Sequence, residues 1–223
     1  MKRFLYLLLT APGLVFSQDT VSKNIGDFTE LKVYDQINLE LVQSDTNKIE
    51  IYGYDADQVQ VINKNGKLKI RMTLPKIFDG GDIKATLYYK SVLVVDVNEG
   101  AFVYSAEPIK VTSFECRAQE GARIELNVMA TYLETKAYSG AMINLTGTAQ
   151  KQVVKVNTGG IVKAQKMETT DSDVYIRAGG EVEVFVTGLL NANIKAGGAV
   201  YVYGSPRTVS KSNLIGGRVV LVN

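Results

Sequence analysis

The chain has 223 residues, 46% of them hydrophobic, with 25 Lys and Arg against 23 Asp and Glu, a single Cys, and neither His nor Trp. Without His there is no Ser-His-Asp or Cys-His nucleophile, and one Cys supplies neither an intramolecular disulfide nor a zinc or haem ligand set of the usual kinds. The balanced charge speaks against a general nucleic-acid binder, which would carry a concentrated basic face.

Residues 1–17 read as a secretory signal. Lys2 and Arg3 form a charged start, Phe4 to Val15 is mostly apolar, and Ser17 offers a small residue before Gln18. Thr10, Pro12 and Gly13 interrupt the apolar stretch, which falls short of the ~20 residues of a membrane span. The expectation is an exported chain without an integral membrane span, in the periplasm, on the outer-membrane surface or outside the cell. Removing the signal takes away Lys2 and Arg3 and leaves 23 basic residues against 23 acidic ones. No Cys follows the signal to carry a lipid; Cys116 lies far downstream.

Residues 27–98 read as short strands. Apolar residues alternate with polar ones in Leu31–Val33, Ile37–Leu41, Ile49–Ile51, Val59–Val61 and Leu68–Met72, and Asn65-Gly66 between two of these runs is a tight-hairpin signal. Residues 74–82 read as a loop. From residue 99 a clock begins: Gly-Ala or Gly-Gly pairs start at positions 100, 121, 140, 159, 179, 197 and 216. The intervals are 21, 19, 19, 20, 18 and 19 residues. A period of that size marks a solenoid in which each coil covers its neighbour's apolar face.

The third residue after the first glycine is Val103, Ile124, Ile143, Val162, Val182, Val200 or Val219, every one β-branched. A second inward pair precedes each glycine pair: Val95 and Val97, Cys116 and Ala118, Thr135 and Ala137, Val154 and Val156, Val174 and Ile176, Ala192 and Ile194. The chain therefore reads as an all-β parallel β-helix with coils of about 19 residues, residues 99–223 forming regular coils and 27–98 the opening coils or a β-rich N-terminal cap. Residues 18–223 read as a single β-solenoid domain. Val219 to Val222 end the chain without a polar cap, so end-to-end pairing with a second copy through the C-terminal coil is one expectation.

Phe28-Thr-Glu-Leu-Lys-Val33, Ile37-Asn-Leu39-Glu-Leu41, Gly66-Lys-Leu68 and the serial glycine pairs together resemble the auto-transporter adhesin head GIN domain family of exported proteins of Gram-negative bacteria. The resemblance covers about nine-tenths of the chain. It implies a right-handed parallel β-helix of the broad pectate-lyase-like architecture and an adhesin role. Its pattern names structural positions only and carries over no catalytic or binding residues.

Parallel β-helices also carry polysaccharide lyases and hydrolases, which makes paired acids candidates for catalysis. Glu181 and Glu183 should face outward together, and Asp171 and Asp173 flank Ser172 in an expected turn. The plainer reading is solvated surface acids, because an exposed strand offers neither the cleft nor the raised carboxyl that glycosidase chemistry needs. The same acids form neither a Gly-Gly-x-Gly-x-Asp repeat nor an EF-hand loop, so no metal or other cofactor is expected.

The ligand-binding candidates are the column Arg117, Lys136, Lys155 and Tyr175, with Arg177 and Lys195 close by. Stacked at strand spacing, they would present cations to an anionic glycan or other envelope-surface ligand; the plainer reading is a soluble face that guards a flat sheet. Outward Tyr104, Tyr138, Tyr201 and Tyr203 suit sugar stacking and strand formation alike. Cys116 is placed inward as a small hydrophobe, and Asn144-Leu145-Thr146, a glycosylation pattern, falls on a strand. The reading is a non-enzymatic, adhesin-like binding or scaffold protein; the alternatives are a carbohydrate-active enzyme on the same fold and a self-assembling envelope protein.

Overall fold

β-Branched and other apolar residues on alternate positions make strands with one buried face, and the computed structural model, which describes residues 20–222, is built almost wholly from them. The residue 1–17 export signal lies outside the described residues. The strands are β1 (Thr20–Asn24), β2 (Glu30–Val33), β3 (Asn38–Gln43), β4 (Lys48–Tyr52), β5 (Val59–Lys64), β6 (Lys67–Met72), β7 (Lys84–Tyr89), β8 (Val94–Val97) and β9 (Phe102–Tyr104). Then come β10 (Ile109–Ala118), β11 (Arg123–Tyr138), β12 (Met142–Asn157), β13 (Ile161–Ala178), β14 (Glu181–Val186), β15 (Leu189–Ala196), β16 (Ala199–Tyr203), β17 (Thr208–Ile215) and β18 (Arg218–Leu221). Among the described residues the only helical elements are three-residue 3₁₀ turns.

The strands wind into a β-solenoid of about seven turns, each about 19 residues on from the last. Register follows the period: Ile109 lies opposite Val128, Arg123 opposite Met142, and Thr146 opposite Lys166 after a bulge that lengthens one coil by a residue. Two strands per coil were expected. In the middle coils a single strand of 16 or 18 residues instead runs from one glycine corner to the next. The coil bends where the ladder lapses at Thr112, Thr131 and Gln150.

At the corner, Thr158 and Gly159 are both left-handed, at φ 51° and 73°. Two consecutive residues of that kind make the sharp reversal that matches strand twist. The two glycines of this pair differ in their task. A Cβ on Gly159 would meet nothing within 4 Å, whereas one on Gly160 would sit 2.2 Å from the Ala137 carbonyl oxygen of the preceding coil. The first glycine supplies a backbone angle and the second supplies room.

The inward columns form the core. Val103, Ile124, Ile143, Val162, Val182 and Val200 are each fully buried, as are Val95, Cys116, Thr135, Val154 and Val174. Val219 is only half-buried and Leu221 is 57% exposed, β18 pairing only with β16 among the described residues.

Coil order in space differs from chain order at the N-terminal end. β2 pairs in parallel with both β6 and β8, and β3 with both β7 and β9. The first coil, β2–β3, is thus clamped between a coil made from β6–β7 and the coil β8–β9. Beyond it the parallel pattern stops. β5 returns on β6 through the Asn65-Gly66 hairpin, β4 runs antiparallel to β7, and β1 antiparallel to β4. Segment 27–98 supplies both coils and covering strands.

Candidate functional site

On the outer face, parallel stacking sets side chains of equal position one above another. Asp96, Arg117, Lys136, Lys155, Tyr175 and Asn193 form one such column in register. Two residues earlier on each coil, a second column holds Glu115, Glu134, Val153 and Asp173.

The two columns neutralise each other at the N-terminal side of the face. Arg117 grips both oxygens of Glu115 at 2.6 and 2.8 Å and reaches Asp96 at 3.7 Å. Lys136 pairs with Glu115 and, at 3.2 Å, with Glu134. Lys155 donates to Glu134 at 2.6 Å. The Arg117 guanidinium, joined by Lys136, outweighs partial burial and holds the Glu115 carboxyl at about 2. Burial opposes ionisation of Glu134, but the hydrogen bonds from Lys155 and Lys136 prevail and lower its carboxyl. Arg117 and Lys136 are therefore committed to carboxylates within this lattice. The sequence carried the cue, since Glu115-Cys-Arg117 and Glu134-Thr-Lys136 recur at the coil period, but only the cations had been singled out.

Towards the C-terminal side the acids give out. Lys155, Tyr175, Arg177 and Lys195 come together with Tyr138, Asn157 and Asn193 around an open groove of about 550 Å³. Arg177 and Lys195 have no carboxylate partner among the described residues. Tyr175 is 44% exposed and gives the groove an aromatic face. Two cations without a carboxylate partner, a third shared with Glu134, two tyrosines and two amides line this groove.

Of the other outward tyrosines, Tyr104 and Tyr201 are otherwise engaged. Tyr104 stacks on Phe102 with ring centroids 5.3 Å apart, and Tyr201 accepts a 2.7 Å hydrogen bond from Arg218, whose guanidinium also lies 5.7 Å from its ring. Tyr203 borders neither groove nor ion pair.

Asp171 and Asp173 hold structural posts. Asp171 and Asp173 lie within β13 and not in a turn: Ser172 between them points inward, fully buried and 2.9 Å from Thr169 Oγ1, which fixes strand geometry there. Asp171 accepts from the Leu189 backbone N–H, and Asp173 from Asn191 while pairing with Lys151 at 2.5 Å. Burial opposes ionisation of Asp173, yet Lys151 and Asn191 together lower its carboxyl, the wrong direction for a general acid. Glu181 and Glu183 stand half-buried on β14, Glu183 between Lys163 and Tyr201. Cys116 is fully buried, and burial pushes its thiol up to about 12. Among the described residues no cluster of three or more His, Cys, Asp or Glu is placed to hold a metal ion, and no helix is long and apolar enough to cross a membrane.

A residue that sequence reasoning passed over organises the N-terminal end. Asp35, nearly buried and left-handed at φ 58°, accepts from the backbone N–H groups of Met72 and Phe78. Burial raises the neighbouring Glu99 carboxyl, helped by its hydrogen bond to Asp35. An Asp in a turn carries no mark that distinguishes this role in sequence.

The family model described as "Putative auto-transporter adhesin, head GIN domain" matches residues 27–206. The chain belongs to this family. The crystal structure of a "putative adhesin" from Bacteroides fragilis NCTC 9343 superposes on this head GIN domain with a TM-score of 0.86 at 16% identity, over 93% of this chain and 98% of that one. A "putative lipid binding protein" from Parabacteroides distasonis ATCC 8503 gives 0.74 at 21% identity, over 93% and 98%. A "putative adhesin" from Parabacteroides merdae ATCC 43184 gives 0.69 at 19% identity, over 93% and 97%. At these identities the likeness establishes a shared fold. No curated protein matches the head GIN domain chain.

Proposed function

We propose that this chain is an exported, non-enzymatic adhesin-like protein, one solenoid domain after removal of its signal, that recognises an anionic glycan or similar envelope-surface ligand in the periplasm, on the outer-membrane surface or outside the cell. The observation that carries the reading is the groove itself. Cations elsewhere on the face are spent on Glu115, Glu134 and Asp96, while Arg177 and Lys195 stand unpaired beside Tyr138 and Tyr175. Recognition would be multivalent, many weak contacts repeated along a rigid stack.

The test incubates residues 18–223 with uronate-bearing and neutral glycans, scoring retained binding and released sugar fragments together. Binding to the anionic glycans without fragments, lost in Arg177→Gln/Lys195→Gln, supports the reading. Fragments would establish the alternative of a carbohydrate-active enzyme, and binding that ignores the double variant would move the site elsewhere.

A second reading, self-assembly through the last coil, is favoured by the exposure of Leu214, Ile215 and Leu221, at 77%, 67% and 57%. Concentration-dependent size in sedimentation, abolished by Val220→Asp, would support it; a monomer at all concentrations would end it.

A further inference from the structure

The N-terminal end of the stack, where β5 folds back on the coil strand β6, carries a mixed basic and apolar surface. On the hairpin β5–β6, Lys64, Lys69 and Arg71 are exposed and have no carboxylate partner among the described residues, and Lys67 beside them is half-buried and pairs with Glu30 at 3.0 Å. Ile62 on the same hairpin is 42% exposed and shares a shallow depression with Lys64, Lys69 and Arg71. The loop after β6 then presents Leu74, Ile77 and Phe78 to solvent, at 76%, 42% and 57% exposure. Lys69 and Arg71 border a second depression with Leu74, Ile77, Asp35 and Glu99, which joins the basic hairpin to the apolar loop, while Phe78 lines a separate depression with Glu99 and Glu120.

The loop is held in this arrangement. Asp35 accepts from Met72 and Phe78 backbone N–H groups, its own carbonyl accepts from Gly80, and Lys76 reaches Asp55 at 3.1 Å and Asp79 at 3.6 Å. Phe78 is fixed at φ 65°, a left-handed angle that is an outlier for a bulky residue and costs about 1–3 kcal/mol. The fold thus spends conformational energy to hold an aromatic ring in water, where a flexible loop would fold it away.

We propose that this end of the solenoid docks on an anionic lipid bilayer surface, the apolar tips of Leu74, Ile77 and Phe78 entering the interface while Lys64, Lys69 and Arg71 meet acidic headgroups. Lys64, Lys69 and Arg71 beside exposed apolar tips are the complement of such a surface, which attracts each nearby Lys or Arg and takes up small apolar groups at its boundary; with Glu99 and Glu120 beside Phe78, the headgroup contacts fall on the hairpin side. Three partly exposed side chains fall well short of the ~800 Å² that each partner buries in a standard protein interface. The proposal is independent of the glycan groove: Lys69 stands in the same outward column, but Lys32, Asp96, Arg117 and Lys136 separate it from Lys155 and the groove.

The test is co-sedimentation of residues 18–223, which contain every strand and the whole core described above, with phosphatidylglycerol/phosphatidylethanolamine vesicles and with phosphatidylcholine vesicles. Binding to the anionic vesicles that falls roughly tenfold or more in Leu74→Ser/Phe78→Asn, and similarly in Lys69→Gln/Arg71→Gln, is expected. Asn tolerates the left-handed angle, and unchanged far-UV circular dichroism confirms that both variants fold. Absence of binding to anionic vesicles, or equal binding by the variants, overturns the proposal. So does a dimer in sedimentation that Leu74→Ser/Phe78→Asn dissolves, because that assigns the surface to a second copy.

Discussion

Gln152 sits fully buried inside the solenoid, between Leu133 of the preceding coil and Ser172 of the next, and neither its amide oxygen nor its nitrogen has a hydrogen-bond partner among the described residues. Ser172 is already engaged with Thr169, so the column has no spare group to satisfy it. Leaving a buried amide unmet costs about 1–3 kcal/mol in proteins. Gln152→Leu removes both unmet groups, keeps nearly the same volume and adds an apolar contact to Leu133. The expected gain is about 2 kcal/mol, equivalent to roughly 4–8 °C in Tm for a domain of this size. Urea titration should show a higher midpoint with an unchanged slope, since the surface exposed on unfolding is unaltered. Gln152→Ala should instead cost stability through the cavity it leaves. A lower midpoint for Gln152→Leu would refute the reasoning and mean that the amide has a partner inside the native coil.

Three further outcomes follow from the corner, the charged lattice and the thiol. Gly160→Ala drives a methyl into the Ala137 carbonyl and should cost about 1–3 kcal/mol, whereas Gly159→Asn, which has open space and suits its left-handed angle, should cost less than about 1 kcal/mol in the same melts. Glu115 passes from a carboxyl near 4.5 when unfolded to about 2 when folded, so its stabilisation is present above pH 4.5 and is lost as pH falls towards 2. Glu134 and Asp173, also lowered, act in the same sense, while the raised Glu99 acts oppositely, its contribution lost as pH rises above the unfolded value. The unfolding free energy from urea titration should therefore drop between pH 5 and pH 2, by about 1–3 kcal/mol less in Glu115→Gln. Cys116, its thiol at about 12 and fully buried, should react with a thiol reagent at neutral pH only as fast as the chain unfolds, which rising urea will show.

The regular coils were legible because their determinants are local. A left-handed corner needs glycine, a buried strand face needs β-branched residues, and both recur in Gly140 to Ile143 or Gly159 to Val162 without reference to anything distant. The clamped first coil was not legible, because Leu31 and Leu39 alternate as they would in any half-buried strand and nothing in them tells a parallel neighbour from an antiparallel one. Asp171-Ser-Asp173 has the composition of a turn, yet a buried hydroxyl partner, Thr169, lets Ser172 serve as an inward strand residue. On the outer face the column Arg117, Lys136 and Lys155 followed from the period. Its neutralisation required knowing that side chains two residues apart on adjacent coils reach one another, and the groove emerged only where Val153 replaces the acid in that neighbouring column.

The clamping of β2–β3 between β6–β7 and β8–β9 makes the two ends of this molecule mechanically unequal. Among the described residues the last coil, β17–β18, is held by a single neighbour, and traction on it can peel it away and hand the load to the coil behind it. Each such event releases about 19 residues, or roughly 65 Å of extended chain. At the other end β1 can leave β4 alone, but the coil β2–β3 behind it is held by a parallel ladder on each side, and both must shear before that coil opens. A stack of this kind lengthens stepwise from one end under load while the other holds, so a contact made near the N-terminal end outlasts the loss of several coils at the far one.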